Sequence, residues 1–413
     1  MFGAARQALF LANPAGGGVF TSASLLSTLT NPNAGGDSGS DSYGYVTATS
    51  NSYVAVSAYT ESGGGKVYLY DTSGSFLRTI SNPSSQSGSQ FGYSIALTDD
   101  YLVVGCNLFG GTAEGRVYVF NPSTGSLLYT KSDPNPYSSV DNDYFGQSVG
   151  VAGNYMIAGA IGEDEAAGTN SGKAYIFDLT DGSLTYTLDN PNNYNTVASD
   201  QFGYRVAIGD SYAVVAVPLE DSSGGTSSGV IYIYDLSDGS LAYTVVDPNP
   251  YGTTASDQFG YSVDMSGNTI VVGAYLEDDA GGTTSGKVYI IDASTGSITY
   301  TLDNPNPYGT SANDAFGSSV TIFGDLVAVS APAEDESSAT NSGKIYIYSA
   351  STGSLLQTID NPNAYGTADN DNIGSGPESL SISHDRLTIG AYQEDSGNSN
   401  TAGKAYIFEL NYS

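Results

Sequence analysis

One interval governs this chain: Tyr137, Tyr194, Tyr251, Tyr308 and Tyr365 recur every 57 residues, and Phe145, Phe202, Phe259 and Phe316 keep the same spacing. A fixed period of this size means stacked copies of one supersecondary unit. The copy from Ala242 to Ile298 carries four strand signals. Phe259, Tyr261, Val263 and Met265 alternate with small or polar residues, which places them on one face of a first strand. Ser266-Gly267-Asn268 then reverses the chain. Thr269 to Ala274 is an apolar run that predicts a strand buried on both faces. Lys287 to Asp292 is a third strand, and Ile298 to Leu302 alternates Thr with large side chains, as a half-exposed outer strand does. Four short antiparallel strands per repeat make a propeller blade. Helix is excluded because no window sustains an i, i+3, i+4 apolar pattern and Gly, Pro, Ser, Thr and Asn punctuate the whole chain.

Cutting after each TGSL-like turn gives seven units: 26–76, 77–127, 128–184, 185–241, 242–298, 299–355 and 356–413. The last unit stops after its third strand. The missing fourth stands at the other end, where Leu25 to Asn33 (LLSTLTNPN) matches Leu355 to Asn363 (LLQTIDNPN). If the N-terminal strand completes the last blade, the ring closes and no edge is left open. The expected fold is therefore all-β, a seven-bladed β-propeller of four-stranded antiparallel blades over residues 25–413, preceded by an N-terminal arm, residues 1–24. Phe2, Leu9, Phe10 and Leu11 make that arm apolar enough to pack on a partner, on a second copy or on the ring. Its run Ala8 to Ala12 is too short for a secretory core. Blade seven departs from its siblings: Asn372 to Glu378 replaces DQFGYSV and delays the next strand by three residues, which calls for a bulge or a remade loop.

Composition narrows the function classes. With 43 acidic residues against 11 basic ones the formal net charge is −32, a field that repels nucleic acid. No apolar stretch is long enough to span a membrane as a helix. The single cysteine, Cys106, excludes an intrachain disulfide and replaces an Ala of the second-strand pattern, so it belongs in the core. Nucleophilic catalysis lacks its parts: the only histidine, His384, sits in a turn, and no Gly-rich phosphate loop follows a strand.

Phe-Gly opens the first strand and Gly-Ala or Pro closes the second in successive units: Phe91-Gly92 with Gly105-Cys106, Phe145-Gly146 with Gly159-Ala160, Phe202-Gly203 with Pro218, Phe259-Gly260 with Gly273-Ala274, Phe316-Gly317 with Ser330-Ala331-Pro332. This pattern resembles the FG-GAP repeats of the integrin alpha-chain N-terminal domain and of many bacterial and phage proteins. The resemblance implies a seven-bladed propeller that binds other macromolecules rather than catalysing. Integrin-type repeats often hold calcium in a DxDxDG loop between the first two strands. The equivalent turns here, Ala152-Gly153-Asn154, Ser266-Gly267-Asn268 and Phe323-Gly324-Asp325, cannot supply the oxygens calcium takes, so no cofactor is expected and calcium is not expected at the family's position.

In such a ring the two-to-three and four-to-one loops share one face, here called X. The pairs Glu163-Asp164, Glu220-Asp221, Glu277-Asp278, Glu334-Asp335 and Glu394-Asp395 would ring that face with carboxylates. Adjacent loop residues in five equivalent copies do not make one acid/base pair; the expectation is that they accept loop N–H groups or pair with the basic residue that opens strand three. Asp141-Asn142-Asp143 and Asp369-Asn370-Asp371 offer weak cation loops. Tyr137, Tyr194, Tyr251, Tyr308 and Tyr365 are the ligand-binding candidates, as aromatic platforms for sugar or protein, or else they pack over their own Asn-Pro turns. The expected function is a non-enzymatic recognition or assembly module, a structural or adsorption component of a phage virion (tail, fibre or capsid appendage). Its partners would be other virion proteins or a host surface protein or glycan, with homo-oligomers through the arm; a virion protein leaves by lysis and needs no signal peptide. The alternative is a microbial cell-surface adhesin with an integrin-like propeller, which predicts an anchoring segment. An enzyme would instead need an acidic and aromatic cluster near the axis that breaks the repeat; only blade seven breaks it noticeably, through Gly374, Gly376 and Pro377.

Overall fold

A computed structural model describes residues 18–33, 41–134, 141–164, 169–192, 199–222, 225–249, 256–278, 282–306, 311–335, 340–363, 370–394 and 403–413. Every regular element among them is a β-strand, and the strands form seven four-stranded antiparallel sheets. Blade five comprises Ser262–Ser266, Thr269–Ala274, Lys287–Asp292 and Ser297–Asp303, paired in chain order, and five of the other blades repeat that order. Blade seven differs. Its strands Leu380–Ser383, Arg386–Ala391 and Lys404–Tyr412 are completed by Phe20–Thr30, which runs antiparallel to Lys404–Tyr412 from Phe20 opposite Tyr412 to Thr30 opposite Lys404. The ring closes as the matching end segments required. Pairing begins at Phe20, so five residues assigned to the arm belong to this strand, and the Phe20 ring stands edge-on to Tyr412 at 6.2 Å. Phe2, Leu9, Phe10 and Leu11 lie outside the described residues.

The first strands surround one axis and touch in cyclic order, blade seven's against blade one's. Each second strand is sandwiched between two neighbouring blades, which explains its unbroken apolar run. Ile270 and Val272 pack with Ile231 and Ile233 of blade four, whereas Val271 between them packs with Val327 and Val329 of blade six. The fourth strand has a neighbour on one side only; along Ser297–Asp303 Leu302 alone is buried.

The Phe-Gly and Gly-Ala signals owe their pairing to a close approach between blades. A Cβ on Gly159 would overlap the carbonyl of Gly203, one on Gly273 that of Gly317, and one on Gly390 that of Gly44 across the closure. The second-strand glycine of one blade thus admits the Phe-Gly backbone of the next. That backbone is left-handed, with φ of 93° at Gly203, 94° at Gly260 and 90° at Gly317, a conformation glycine adopts without a Cβ penalty. The same turn corrects the expected alternation. Tyr261 N donates to Gln258 O, so regular pairing starts at Ser262, and Phe259 and Tyr261 part company. Phe259 is fully buried against Tyr289, 5.5 Å away, while Tyr261 turns toward the axis. Gly273→Val should lower stability by roughly 3 kcal/mol, measured by urea unfolding. Gly267→Asn, at a φ of 58° with open space around it, should cost little. Equal midpoints for the two variants would mean that the blades part freely at this junction.

Candidate functional site at the axial mouth

The residue after each Phe-Gly pair, and after Tyr43-Gly44 and Ile373-Gly374 in blades one and seven, stands at the face X end of the axis. Those residues are Tyr45, Tyr93, Gln147, Tyr204, Tyr261, Ser318 and Ser375. At the ends of second strands Tyr59, Tyr275 and Tyr392 join them. The tyrosines form two half-buried groups. Tyr45 lies 4.7 Å from Tyr59, 5.9 Å from Tyr93 and 5.2 Å from Tyr392, and Tyr261 lies 6.0 Å from Tyr204 and 4.1 Å from Tyr275, all between ring centroids. Gln147 adds an amide to the mouth, held by Asn107 Nδ2 donating to its Oε1 at 3.0 Å. Burial raises the Tyr45 and Tyr261 hydroxyls well above the ordinary phenol range, so both stay neutral donors.

Behind the tyrosines lies a buried ion pair that two departures from the repeat create. The next position along the first strand is Ser94, Ser148, Ser262 and Ser319 in blades two, three, five and six, and each hydroxyl bridges to the following blade, as Ser262 Oγ donates to Gly317 O at 2.7 Å. Blade four has Arg205 there instead. Its Nε stands 3.7 Å from Glu378 Oε1, and its guanidinium lies 4.6 Å from the Tyr204 ring centroid. Glu378 belongs to the three-residue insertion of blade seven and also accepts from Ser148 Oγ at 2.9 Å. Burial works against the charge on Arg205, and Glu378 more than offsets it. On the far side, Glu378 forms part of the wall of a cavity of about 430 Å³ lined by the first strands and opening among the one-to-two turns, with His384 at its rim. Asp264 also lines this cavity, but its carboxylate is taken by Thr321 Oγ1 and Ile322 N at 2.9 Å each and Met265 N at 2.8 Å. Glu378 is likewise held, by Arg205 and Ser148. Both axial carboxylates are thus committed to the frame rather than free to flank a scissile bond.

The acidic pairs of face X divide their labour. The second acid accepts loop N–H groups: Asp164 from Asn170, Asp221 from Ser227, Asp278 from Thr284 and Asp335 from Asn341, each at 2.9 Å. The first acid does not ring the surface. Glu163, Glu220, Glu277, Glu334 and Glu394 are all fully buried, each accepting from the tyrosine hydroxyl of its own third strand, as in Tyr346 to Glu334 at 2.7 Å. The expected carboxylate ring is therefore a set of internal braces, because a buried carboxylate needs a donor and a strand-three tyrosine reaches it. Four strand-three lysines, Lys173, Lys287, Lys344 and Lys404, are buried too: Lys404 meets Glu394 at 2.5 Å, while Lys287 and Lys344 reach Asp303 and Asp360 at 2.6 and 2.8 Å.

Three segments, 138–177, 250–291 and 307–348, match the FG-GAP repeat family model. The chain is a seven-bladed β-propeller that carries FG-GAP repeats. No curated protein matches it. FG-GAP propellers are typically binding modules without catalysis, and the acids of this one serve as braces and bridges, in keeping with that.

The ligand candidates of the repeat, Tyr137, Tyr194, Tyr251, Tyr308 and Tyr365, all lie outside the described residues. Sequence reasoning missed the axial set of this propeller. Its signal was present as broken symmetry: an Arg where siblings have Ser, and an acid inside the only insertion. Blade seven's insertion was dismissed for its Gly374, Gly376 and Pro377, yet its last residue, Glu378, is the one that reaches the axis.

Proposed function

We propose that this propeller is a recognition module that takes a glycan at the axial mouth of face X, and that it works at the surface of a phage particle as an adsorption component. One observation carries the reading. Seven half-buried tyrosines converge on a single axis with amide and hydroxyl side chains among them, while the equivalent positions of the remaining blades carry no aromatic ring. Rigid amphipathic rings beside polar groups suit stacking of sugar faces and hydrogen bonding of their hydroxyls. The particle assignment is supported by near-identical repeats and by an acidic surface with only 11 basic residues.

The test for the mouth is a glycan array probed with the full chain, followed by the Tyr204→Ala/Tyr261→Ala double variant. Binding should fall at least tenfold while the melting temperature holds within a few degrees. A double variant that binds like the parent sinks the mouth as the ligand seat. For location, an antibody against the ring should label purified particles; label confined to microbial envelopes would favour the adhesin.

A further inference from the structure

Before most first strands an asparagine amide clasps an aspartate. Asn31 Nδ2 donates to Asp41 at 2.9 Å, Asn190 to Asp200 at 3.0 Å, Asn304 to Asp314 at 2.9 Å and Asn361 to Asp371 at 3.0 Å. At the entry to blade five the asparagine is replaced by Asp247, opposite Asp257. The local geometry is otherwise kept: Asp247 Oδ1 accepts from Asn249 N at 2.9 Å, as Asn304 Oδ1 accepts from Asn306 N at 3.0 Å. Asp247 Oδ2 then stands where the amide nitrogen stands in the other blades. It is buried, with the residue 6% exposed, and it has no hydrogen-bond donor.

That oxygen faces two more carboxylates. Asp247, Asp257 and Glu277 each direct an oxygen into one space, all within 4.8 Å of one another, and all three residues are buried. One cationic neighbour, Lys287, acts on the group through Glu277. Lys287 is bonded to Asp303 at 2.6 Å, just as Lys344 of blade six is bonded to Asp360 at 2.8 Å beside Asn304, Asp314 and Glu334. Blade five therefore carries one carboxyl group more than blade six for the same lysine. Blade three holds the same residue types at Asp133, Asp143 and Glu163, but among the described residues only the blade five oxygens converge.

We propose that Asp247, Asp257 and Glu277 form a binding site for a hard divalent cation of the calcium type, which ties the loop entering blade five to the loop between its second and third strands. An all-oxygen donor set is the chemistry such ions select. The site lies on face X, away from the one-to-two turns where integrin-type repeats hold calcium. It replaces the neutral amide clasp of the sibling blades by a metal clasp.

Terbium tests this on the full chain, stripped with a chelator. The chain has no tryptophan, and Tyr289, whose hydroxyl donates to both Glu277 oxygens at 2.8 and 2.7 Å, is placed to sensitise the ion. Tyrosine excitation should give saturable terbium luminescence that calcium displaces. Asp247→Asn should weaken terbium at least tenfold, and Asp238→Asn, at an exposed turn, should leave it unchanged. Calcium should raise the melting temperature of the parent and not of Asp247→Asn, a variant that restores the residue found in five sibling junctions. Asp257→Asn should lose the signal as well. Equal terbium affinity in parent and Asp247→Asn would show diffuse binding to an acidic surface and overturn the site. So would a parent melting temperature indifferent to calcium, with Asp247→Asn the more stable chain, for then a proton fills the gap.

Discussion

A chain that begins at residue 31, and so lacks the strand Phe20–Thr30, is expected to lose its single cooperative melt and to aggregate; a peptide of residues 18–33 supplied in trans should restore both monomer and melt. The strand aligns nine of its residues with Lys404–Tyr412 and buries Leu29 against Ala405 and Ile407 at the junction of blades seven and one. Losing those ladder hydrogen bonds and one buried leucine removes roughly 5 kcal/mol. The exposed edge of Lys404–Tyr412 then becomes a template for other chains. Thermal melts by circular dichroism with size-exclusion chromatography read both effects. A truncated chain that melts like the full one would show that the ring holds without this latch.

The second large effect is a stability that falls as pH rises. Burial, reinforced by neighbouring carboxylates, pushes Glu163 and Glu220 up to about 8 and Glu334 up to about 7, from an ordinary 4.5. Between pH 4.5 and those values the folded chain keeps protons that the unfolded chain has released. A carboxyl raised in this way contributes stability that is complete below its unfolded value and lost as pH rises through its folded one. The net charge of −32 acts in the same direction, since self-repulsion grows with ionisation. Each pH unit over which one such proton is held is worth about 1.4 kcal/mol, so the three together should make the ring more stable at pH 5 than at pH 8 by as much as roughly 10 kcal/mol. Denaturant unfolding at the two pH values measures this, and Glu163→Gln with Glu220→Gln should flatten the profile. A midpoint that climbs from pH 5 to pH 8 would mean that the tyrosine and lysine donors hold these glutamates ionised.

Much of the architecture was legible before any coordinates. Blade count followed from the spacing of Phe145, Phe202, Phe259 and Phe316, and closure from the likeness of Leu25–Asn33 to Leu355–Asn363. The burial of Cys106 followed from its place in an apolar second strand. The face assigned to Tyr261 was misjudged because alternation holds only while the backbone stays extended, and Gly260 at a φ of 94° interrupts it. The acid pairs looked like a surface ring because charge is normally solvated; their first members are buried because Tyr175, Tyr232, Tyr289, Tyr346 and Tyr406 reach them from the next strand.

The sequence by itself determined the repeating unit, the number of blades and the way the ring shuts, because strand periodicity and turn chemistry are properties of near neighbours and recur with each copy. Only the tertiary structure decided what meets at the centre. Arg205 and Glu378 belong to blades four and seven and are each unremarkable departures in their own repeats. A closed ring carries the equivalent positions of all seven blades to one axis, so the residues that break the symmetry become one another's neighbours.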